Sequence, residues 1–327
     1  MVMISSWGRL DQNEHRISAL SDRGQIAREL STHRPGIAYG MGRSYGDECL
    51  NPGGCLWLTA GLNQFIRFDQ ATGRLTCESG VTLRDIQRLL APRGWMLPVT
   101  PGTQIVTVGG CIANDVHGKN HHRYGSFGDH VLRLKLQRTD GNVIECGPDH
   151  APEWFSATVG GLGLTGLITE AEIQLRPIMG PWLDTETTAF NSIEEFFSLS
   201  DSSERDYEYT VAWVDCTSRH TNRGLFMRGN HNADTTWPMS SKKPITVPLV
   251  PPISLVNKLS LRPFNAAYYY SKKWFARKAS TFYEGFFYPL DNVLEWNRMY
   301  GPCRFYQYQS VIPMDAGPDA TKQMLRQ

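Results

Sequence analysis

A histidine-rich segment, residues 115–122, is the first feature of the sequence whose residue types could do chemistry. It holds three of the nine histidines, together with a lysine. His117 and His121 have the i, i+4 spacing of a helical metal site, but Gly118 disfavours a helix and no glutamate supplies the base of an H-E-x-x-H motif. A buried structural histidine would explain one of these residues, not the group. An active-site loop explains them all, because imidazole and ammonium groups can stabilise an alkoxide, move a proton or hold a phosphate. We therefore predict an active-site loop and no metal.

Three glycine-rich clusters are the second such feature, at residues 40–47, 100–110 and 160–166. Glycine lets backbone N–H groups converge on phosphate oxygens without obstruction by side chains. One cluster alone is usually a tight turn, but three in one region indicate a ligand that carries phosphate.

The third glycine cluster also matches the G-x-G-x-x-G fingerprint of dinucleotide-binding βαβ units, through Gly161, Gly163 and Gly166. That fingerprint requires a strand, a turn and then a helix. Here a helix-like segment, residues 152–159, precedes the glycines, and a strand-like segment follows them. We therefore exclude the dinucleotide-binding fold.

A basic segment, residues 241–280, contains no acidic residue and several aromatic ones. Its basic residues are Lys242, Lys243, Lys258, Arg262, Lys272, Lys273, Arg277 and Lys278. One interpretation is a solvated helix face with core aromatics. The other is a peripheral contact with a membrane or a lipid phosphate. Nucleic acid ranks last, because the charge is local and no recognition module accompanies it.

Local signals predict the elements that position these segments. Asp22 begins a helix, and Thr82 with Asp85 forms the capping box of another. Strands are predicted at residues 37–39, 131–137, 143–144, 167–175 and 209–214, with a hairpin turn at 139–142. A loop is predicted at 244–256, which holds four prolines, and a helix at 319–327. Short strands and a few helices, often interrupted by glycine, predict an α+β architecture.

Composition narrows the class of protein further. The 327 residues carry a formal net charge of +1 and are 41% hydrophobic and 20% charged. Such a chain is long enough for two packed domains, and its charge provides no global attraction for nucleic acid. The sequence has no run of 18–20 apolar residues and no N-terminal secretory signal, and its seven cysteines form no C-x-x-C pair. We expect a cytoplasmic protein with reduced thiols, or one held peripherally at the inner membrane.

Taken together, the motifs resemble the flavin-binding domain of the vanillyl-alcohol-oxidase, or PCMH-type, superfamily. The segments that carry the resemblance are residues 38–47, 100–110, 117–122, 125–130, 157–161 and 306–309. Within the superfamily they most resemble the oxidases of polyprenyl-phosphate ribose. The resemblance covers residues 7–313. It implies a two-subdomain FAD-binding domain at 1–177, followed by an antiparallel-sheet substrate (cap) domain at 178–327.

The resemblance also assigns residues to FAD. The cofactor-binding set would be Ala38, Tyr39, Gly40, Met41, Gly42, Arg43, Ser44, Tyr45, Gly46, Asp47, Glu48, Gly102, Thr103, Thr107, Val108, Gly109, Gly110, Asn114, Asp115, Val116, His117 and Ile168. Many members of the superfamily bond flavin covalently through a histidine in a Gly-His-Ser turn. Arginine occupies that position here, at Arg43, so we predict non-covalent FAD.

The function implied by the resemblance is oxidation of the ribose 2′-hydroxyl of a polyprenyl phosphate to the 2′-keto sugar. A separate NADH-dependent keto-reductase would complete epimerisation to the arabinose form, a precursor of cell-wall arabinan. His117, Lys119 and Tyr45 would be catalytic, and Lys119, Gln307 and Gln309 would bind substrate. The alternatives are an aldonolactone or alditol oxidase of the same superfamily, or a catalytically impaired flavin-binding protein.

The last segment of the chain departs from the family pattern. The family continues past the strand at residues 306–309, completes the substrate-domain sheet and adds further active-site residues. This sequence ends at Gln327. We therefore expect a substrate domain that is incomplete at its C-terminus.

Overall fold

A computed structural model describes residues 1–217, 222–238, 244–275 and 278–326. Lys242, Lys243 and Arg277 of the basic segment lie outside these residues. The strands are β1 Val2–Ile4, β2 Asn13–Ala19, β3 Gly36–Tyr39, β4 Cys55–Leu58, β5 Phe65–Asp69, β6 Arg74–Glu78, β7 Trp95–Met96, β8 Val131–Gln137, β9 Val143–Cys146, β10 Leu167–Gln174, β11 Arg176–Pro177, β12 Trp182–Phe190, β13 Tyr209–Val214, β14 Gly224–His231, β15 Ile245–Thr246, β16 Lys278–Phe282 and β17 Val293–Leu294. The helices are α1 Ile26–Thr32, α2 Leu83–Leu90, α3 Val108–Ala113, α4 His121–Tyr124, α5 Pro152–Thr158, α6 Ile193–Glu204, α7 Lys258–Phe275, α8 Tyr283–Phe287 and α9 Gly317–Arg326.

The first sheet positions the first glycine cluster. Its strand order is β1-β2-β4-β3, and β4 runs parallel to both β2 and β3. Strand β3 ends at Tyr39, and the glycine-rich loop begins at the next residue. Asp22 starts the preceding helical turn, where its side chain accepts a hydrogen bond from the backbone N–H of Gly24 at 2.9 Å. The predicted strand–glycine turn is therefore confirmed.

The second sheet is antiparallel, with the order β5-β6-β10-β8-β9. Helices α2 and α3 pack against it and enclose the largest apolar core, to which Ile86 and Ile112 contribute fully buried side chains. Thr82 caps α2, and its side chain accepts a hydrogen bond from the backbone N–H of Asp85, as predicted. The predicted β8–β9 hairpin is also confirmed. Because α5 precedes the third glycine cluster and β10 follows it, the element order excludes a dinucleotide-binding βαβ unit.

The third sheet, β13-β14-β12-β16, is antiparallel, and helices α6 and α7 pack against it. It includes the predicted strand at residues 209–214. The proline-rich segment 244–256 is irregular apart from β15, which pairs in parallel with β17. Mixed helices and antiparallel sheets make the fold α+β, as predicted. The domain boundary at 177/178 stays a prediction.

A return segment, residues 283–309, runs from the third sheet back to the N-terminal region. Tyr288 is buried, and its hydroxyl oxygen accepts a hydrogen bond from Gln87 Nε2 at 2.5 Å and contacts the Thr100 hydroxyl. The Asp291 carboxylate accepts a hydrogen bond from the backbone N–H of Gln104 at 3.0 Å. Asn297 donates to the backbone carbonyl of Trp7 at 2.9 Å. These bonds hold the return segment against helix α2, the second glycine cluster and the N-terminal segment.

One expected strand is not formed. Residues 306–309 have no regular secondary structure, and the side chains of Tyr306 and Tyr308 are both 84% exposed. In the described part of the chain no strand pairs with this backbone, so the strand that the resemblance implied is not formed. Helix α9 forms close to where the sequence predicts it.

Across the ranges given above, no helix has both the length and the apolar character needed to cross a bilayer. All seven cysteines lie within these ranges, and each is a free thiol in the structure.

The hydroxyl of Tyr288 should be a measurable source of stability. Tyr288→Phe leaves Gln87 and Thr100 without a buried partner, so we expect the free energy of unfolding to fall by about 1–3 kcal/mol. Urea unfolding measures this. Tyr283→Phe is the matched control, because that buried hydroxyl has no hydrogen-bond partner within the described ranges and its loss should cost little. Equal losses from the two variants would contradict the assignment.

Candidate functional site

The main cavity has a volume of about 780 Å³ and lies where the glycine clusters converge. Most of the predicted site residues line it. They are Ala38, Gly40, Met41, Gly42, Arg43, Ser44, Tyr45, Gly46, Glu48, Gly102, Thr103, Thr107, Gly109, Gly110, Asn114, Asp115, Val116, His117, Ile168, Gln307 and Gln309. Residues separated by more than 200 positions in sequence thus face one space.

Four predicted residues do not line the cavity, each for a local reason. Val108 begins α3 and is fully buried in the core. Tyr39 lies behind the glycine loop, where its hydroxyl fills the space that a side chain at residue 42 would need. Asp47 lies in a short 3-10 turn. The ammonium of Lys119 points instead to the backbone carbonyl of Phe286.

Two glycines in the first loop cannot be replaced without strain. A Cβ at Gly40 would lie 2.6 Å from the Thr107 hydroxyl. Gly42 has φ +60°, and a Cβ there would lie 2.1 Å from the Tyr39 hydroxyl. Side chains are therefore excluded at both positions, and the backbone of this loop forms part of the cavity wall.

Arg43 gives this wall a positive charge. Its guanidinium stacks over the Trp7 ring at 3.9 Å from the ring centroid, and its buried Nε makes no hydrogen bond with the described residues. Burial lowers the pKa of Arg43, and the nearby Glu295 and Asp291 carboxylates oppose that effect. Arginine nevertheless stays charged in proteins. A buried, unsatisfied N–H on a cavity wall fits an anionic group such as a pyrophosphate.

Ser79 is a second unsatisfied group, and the sequence analysis did not identify it. The serine follows β6, lines the cavity, and has a buried Oγ with no partner in the described part of the chain. Its backbone carbonyl accepts a hydrogen bond from the N–H of Gly109 at 2.8 Å, which joins this turn to the second glycine cluster. Arg43 and Ser79 together leave hydrogen-bonding capacity for a polar ligand.

His117 lies at the other end of the lining, where it meets the return segment. Its backbone forms an isolated bridge with Ser126, and its ring packs edge-on against the ring of His121 at 5.8 Å. The Gln309 side-chain amide lies 2.7 Å from His117 Nε2. Since the amide nitrogen donates, Nε2 of His117 is the acceptor in this arrangement. An imidazole and an amide therefore converge at an exposed part of the cavity.

The return segment also supplies an aromatic wall that local sequence signals did not predict. Trp296 packs edge-on against Tyr45 at 5.7 Å and against Trp7 at 5.9 Å. Phe305 packs against Tyr45 at 5.3 Å. Tyr45 thus packs between two rings, those of Trp296 and Phe305, and burial raises the pKa of its hydroxyl. The other unpredicted lining residues in this segment are Leu290, Asp291, Val293, Leu294 and Glu295.

The third glycine cluster contributes to the cavity as well, through Leu162, Gly163 and Gly166. The sequence signal was present in the glycine density, although the resemblance placed no cofactor-binding residue there. For residues 290–296 of the return segment, by contrast, no glycine or polar motif marked the lining residues.

Lys119 is largely buried between the histidine segment and α8. Its ammonium lies 4.6 Å from the centre of the Phe286 ring, and desolvation lowers its pKa to about 8. The backbone carbonyl of Lys119 accepts a hydrogen bond from the N–H of Thr210 at 2.8 Å. The loop therefore connects the cavity to the third sheet. No group of three or more metal-ligating side chains occurs among the described residues.

Comparison with known protein families assigns the cofactor class. Residues 20–147 match the model of an FAD binding domain. That range contains the first two glycine clusters, Arg43, Ser79 and the histidine segment. The unsatisfied groups on the cavity wall fit the requirements of such a phosphate-bearing cofactor, and FAD is accordingly the cofactor of this chain.

Three curated proteins show how far the similarity extends. Decaprenylphosphoryl-beta-D-ribose oxidase of Mycolicibacterium smegmatis is 35% identical over 96% of this chain and 72% of its own length. A putative D-arabinono-1,4-lactone oxidase of Neurospora crassa is 29% identical over 35% of this chain and 20% of its own length. The mitochondrial D-lactate dehydrogenase [cytochrome] 1 of Saccharomyces cerevisiae is 27% identical over 35% of this chain and 20% of its own length. Only the first of these three matches extends across nearly the whole chain.

The lowered pKa of Lys119 predicts a specific pH dependence of stability. Between about pH 8 and 10.5, the unfolded chain retains a proton that the folded chain has lost, so this residue makes stability rise with pH. Below pH 8 both states hold the proton and the burial penalty is constant. Lys119→Met should remove the rise, by up to ~1 kcal/mol per pH unit.

Urea unfolding at several pH values measures this slope. Lys272→Met, at an exposed lysine of α7, is the matched control and should keep the slope of the parent protein. A slope that survives in Lys119→Met would show that the ammonium is hydrated in the folded state.

Proposed function

The chain belongs to the family of FAD-dependent oxidoreductases that includes decaprenylphosphoryl-β-D-ribose oxidase, and on this premise we propose that it oxidises the 2′-hydroxyl of a polyprenyl-phosphate ribose to the 2′-keto sugar. The observation that carries the proposal is the 35% identity over 96% of the chain. That match covers the glycine clusters, the histidine segment and nearly all of the sequence that follows. A similarity confined to the cofactor domain would support only flavin binding.

Backbone from all three glycine clusters, together with Arg43 and Ser79, would hold the cofactor. Arg43 would pair with the pyrophosphate, because its charge is buried and its Nε has no other partner among the described residues. Bound FAD supplies the acceptor for the hydride that leaves the carbinol carbon. The chain's own residues must bind the sugar, orient its 2′ position and accept the hydroxyl proton.

His117 and Gln309 are the residues proposed to orient the sugar. Their 2.7 Å contact supports a shared role at one hydroxyl group, which would replace the bond between them. Nε2 of His117, an acceptor here, is suited to receive the hydroxyl proton, and the amide of Gln309 would hold the ring. Gln307 lines the same cavity and would bind a further hydroxyl. Tyr45, which packs between the Trp296 and Phe305 rings, would lie beside the cofactor.

Lys119 can bind substrate, as proposed, only if its side chain moves. Its ammonium must leave the Phe286 carbonyl to reach the cavity. Because desolvation already lowers its pKa to about 8, an anionic phosphate nearby would stabilise the charged form.

We infer that the keto sugar passes to a separate NADH-dependent keto-reductase, which would complete epimerisation. The partial match to a putative arabinonolactone oxidase supports the alternative of an aldonolactone oxidase, but it covers 35% of the chain. Measuring turnover of a polyprenyl-phosphate ribose and of an aldonolactone with the same dye acceptor distinguishes the two functions. Turnover of neither, with flavin bound, would favour a catalytically impaired flavoprotein.

Acid precipitation of the purified protein tests how the cofactor is held. Since Arg43 cannot form the histidyl bond of covalent flavoproteins, we expect the yellow chromophore to move into the supernatant. Absorption spectra of supernatant and pellet measure this. Flavin that stays in the pellet would mean a covalent bond elsewhere in the chain and would overturn the prediction.

His117→Ala should lower kcat by about 10²–10⁴-fold on a short-chain polyprenyl-phosphate ribose, because it removes the proposed proton acceptor. Gln309→Ala should mainly raise KM, by roughly tenfold. Dye reduction and flavin content are measured together, so that loss of cofactor is not mistaken for loss of chemistry. His122→Ala is the matched control, since the His122 ring is exposed and makes one 3.4 Å contact with the Tyr207 carbonyl. Near-parental kcat in His117→Ala would remove His117 from the mechanism.

A further inference from the structure

Exposed apolar side chains are concentrated in two consecutive stretches of the chain, the proline-rich segment 244–256 and helix α7. Ile253 is 74% exposed, Leu259 89% and Trp274 65%. Ile245, Leu249 and Tyr270 are exposed as well. Large apolar side chains gathered in this way mark an interaction site more often than a solvated surface.

Helix α7 places four of its exposed apolar residues on one face, and Phe264, 64% exposed, lies outside this stripe. Leu259, Pro263, Tyr270 and Trp274 follow the spacing of a single helical stripe, and all four are exposed. The opposite side of the helix is fixed. Asn265 donates to Asp215 at 2.9 Å, and the Tyr269 hydroxyl donates to Asn191 at 3.0 Å. Because these bonds anchor the helix to the third sheet and its flanks, the stripe must point outward.

The charge of the surface has a single sign. Lys258, Arg262, Lys272 and Lys273 are exposed on α7, and none of them forms an ion pair with the residues that the structure describes. The sequence has no acidic residue from 241 to 280. On the helix, Arg262 and Lys273 border the apolar stripe. The surface therefore offers unpaired cations next to aliphatic and aromatic side chains.

We propose that this surface, residues 244–274, docks the protein on an anionic lipid bilayer. Apolar insertion with basic anchoring is the combination that holds peripheral helices at lipid headgroups, and Tyr270 and Trp274 are side chains that favour that boundary. A second copy of the chain would bring equal positive surfaces together and be repelled. The inference rests on the proposed function, since a lipid-linked substrate resides in such a bilayer.

The surface is continuous with the cavity. Strand β15 pairs with β17, and Val293 and Leu294 of β17 line the cavity. The backbone N–H of Val247 also donates to the Leu294 carbonyl at 3.0 Å, and Arg298 donates to the Val247 carbonyl at 2.9 Å. The segment that would contact lipid is thus hydrogen-bonded to the wall that would contact substrate. A substrate head could enter the cavity while its polyprenyl tail stays in the bilayer.

Vesicle co-sedimentation of the FAD-loaded full chain tests the proposal. The probes are vesicles of phosphatidylcholine alone and vesicles that also contain phosphatidylglycerol, at low and high salt. We expect binding only with the anionic lipid, weakened by salt. Replacing Lys258, Arg262, Lys272 and Lys273 by Gln should lower the partition coefficient by at least ~100-fold. Leu259→Ser with Trp274→Ser should lower it about tenfold at either salt concentration.

The control variants carry the same kinds of substitution, fewer in number, on other surfaces. Arg28→Gln with Arg67→Gln removes exposed charge elsewhere, and Val143→Ser removes an exposed apolar side chain, 61% exposed, from β9. Both should bind vesicles like the parent protein. Parental binding by the α7 variants would overturn the proposal, as would a loss of self-association in their sedimentation profile with unchanged vesicle binding.

Activity on a water-soluble short-chain substrate without vesicles keeps this proposal separate from the proposed function. The α7 variants should retain that activity in full. Vesicle binding without turnover by the parent protein would contradict the proposed function and leave the docking surface intact. Turnover without vesicle binding would contradict the docking surface and leave the proposed function intact.

Discussion

Close approach of backbone to a single cavity is the constraint on which the rest of this structure depends. Loops from three regions of the chain must bring N–H groups within reach of an anionic cofactor, and a side chain facing inward would block them. The first glycine loop shows this constraint directly. Gly40 abuts the Thr107 hydroxyl and Gly42 abuts the Tyr39 hydroxyl, so neither position has room for a side chain. Strand β3 and helix α3 are placed to make that packing possible.

Local chemistry explains which elements the sequence could predict. The Thr82–Asp85 cap, the turn between β8 and β9 and the glycine loop after β3 each depend on residues a few positions apart, and each forms as expected. In each of these elements the backbone hydrogen bonds are made within the same short stretch of chain or with a neighbouring strand. The glycine clusters could also be located, because a left-handed or closely approached backbone requires that residue type.

Contacts between distant segments explain what the sequence could not predict. The hydroxyl of Tyr288 meets Gln87 across 201 positions, and Gln309 meets His117 across 192. Neither pair has a spacing that any local pattern encodes. The strand that the resemblance implied at 306–309 is absent for a related reason, since a strand needs a partner and none of the described strands pairs with this backbone. Ser79 was missed because a lone serine carries no signal until its surroundings leave its hydroxyl unsatisfied.

The return segment links the two proposals physically. It carries Trp296, which holds Tyr45 at the cofactor end of the cavity, and two residues earlier it carries β17, which pairs with the apolar segment 244–256. A force that moved β15 would therefore act on the cavity wall through a few hydrogen bonds, whereas the glycine loops are fixed by the first two sheets. Substrate access and cofactor binding thus depend on different parts of the fold. Changes on the α7 surface should alter delivery of a lipid substrate without altering the flavin site. Changes at Arg43 should alter cofactor binding and leave delivery of the substrate unchanged.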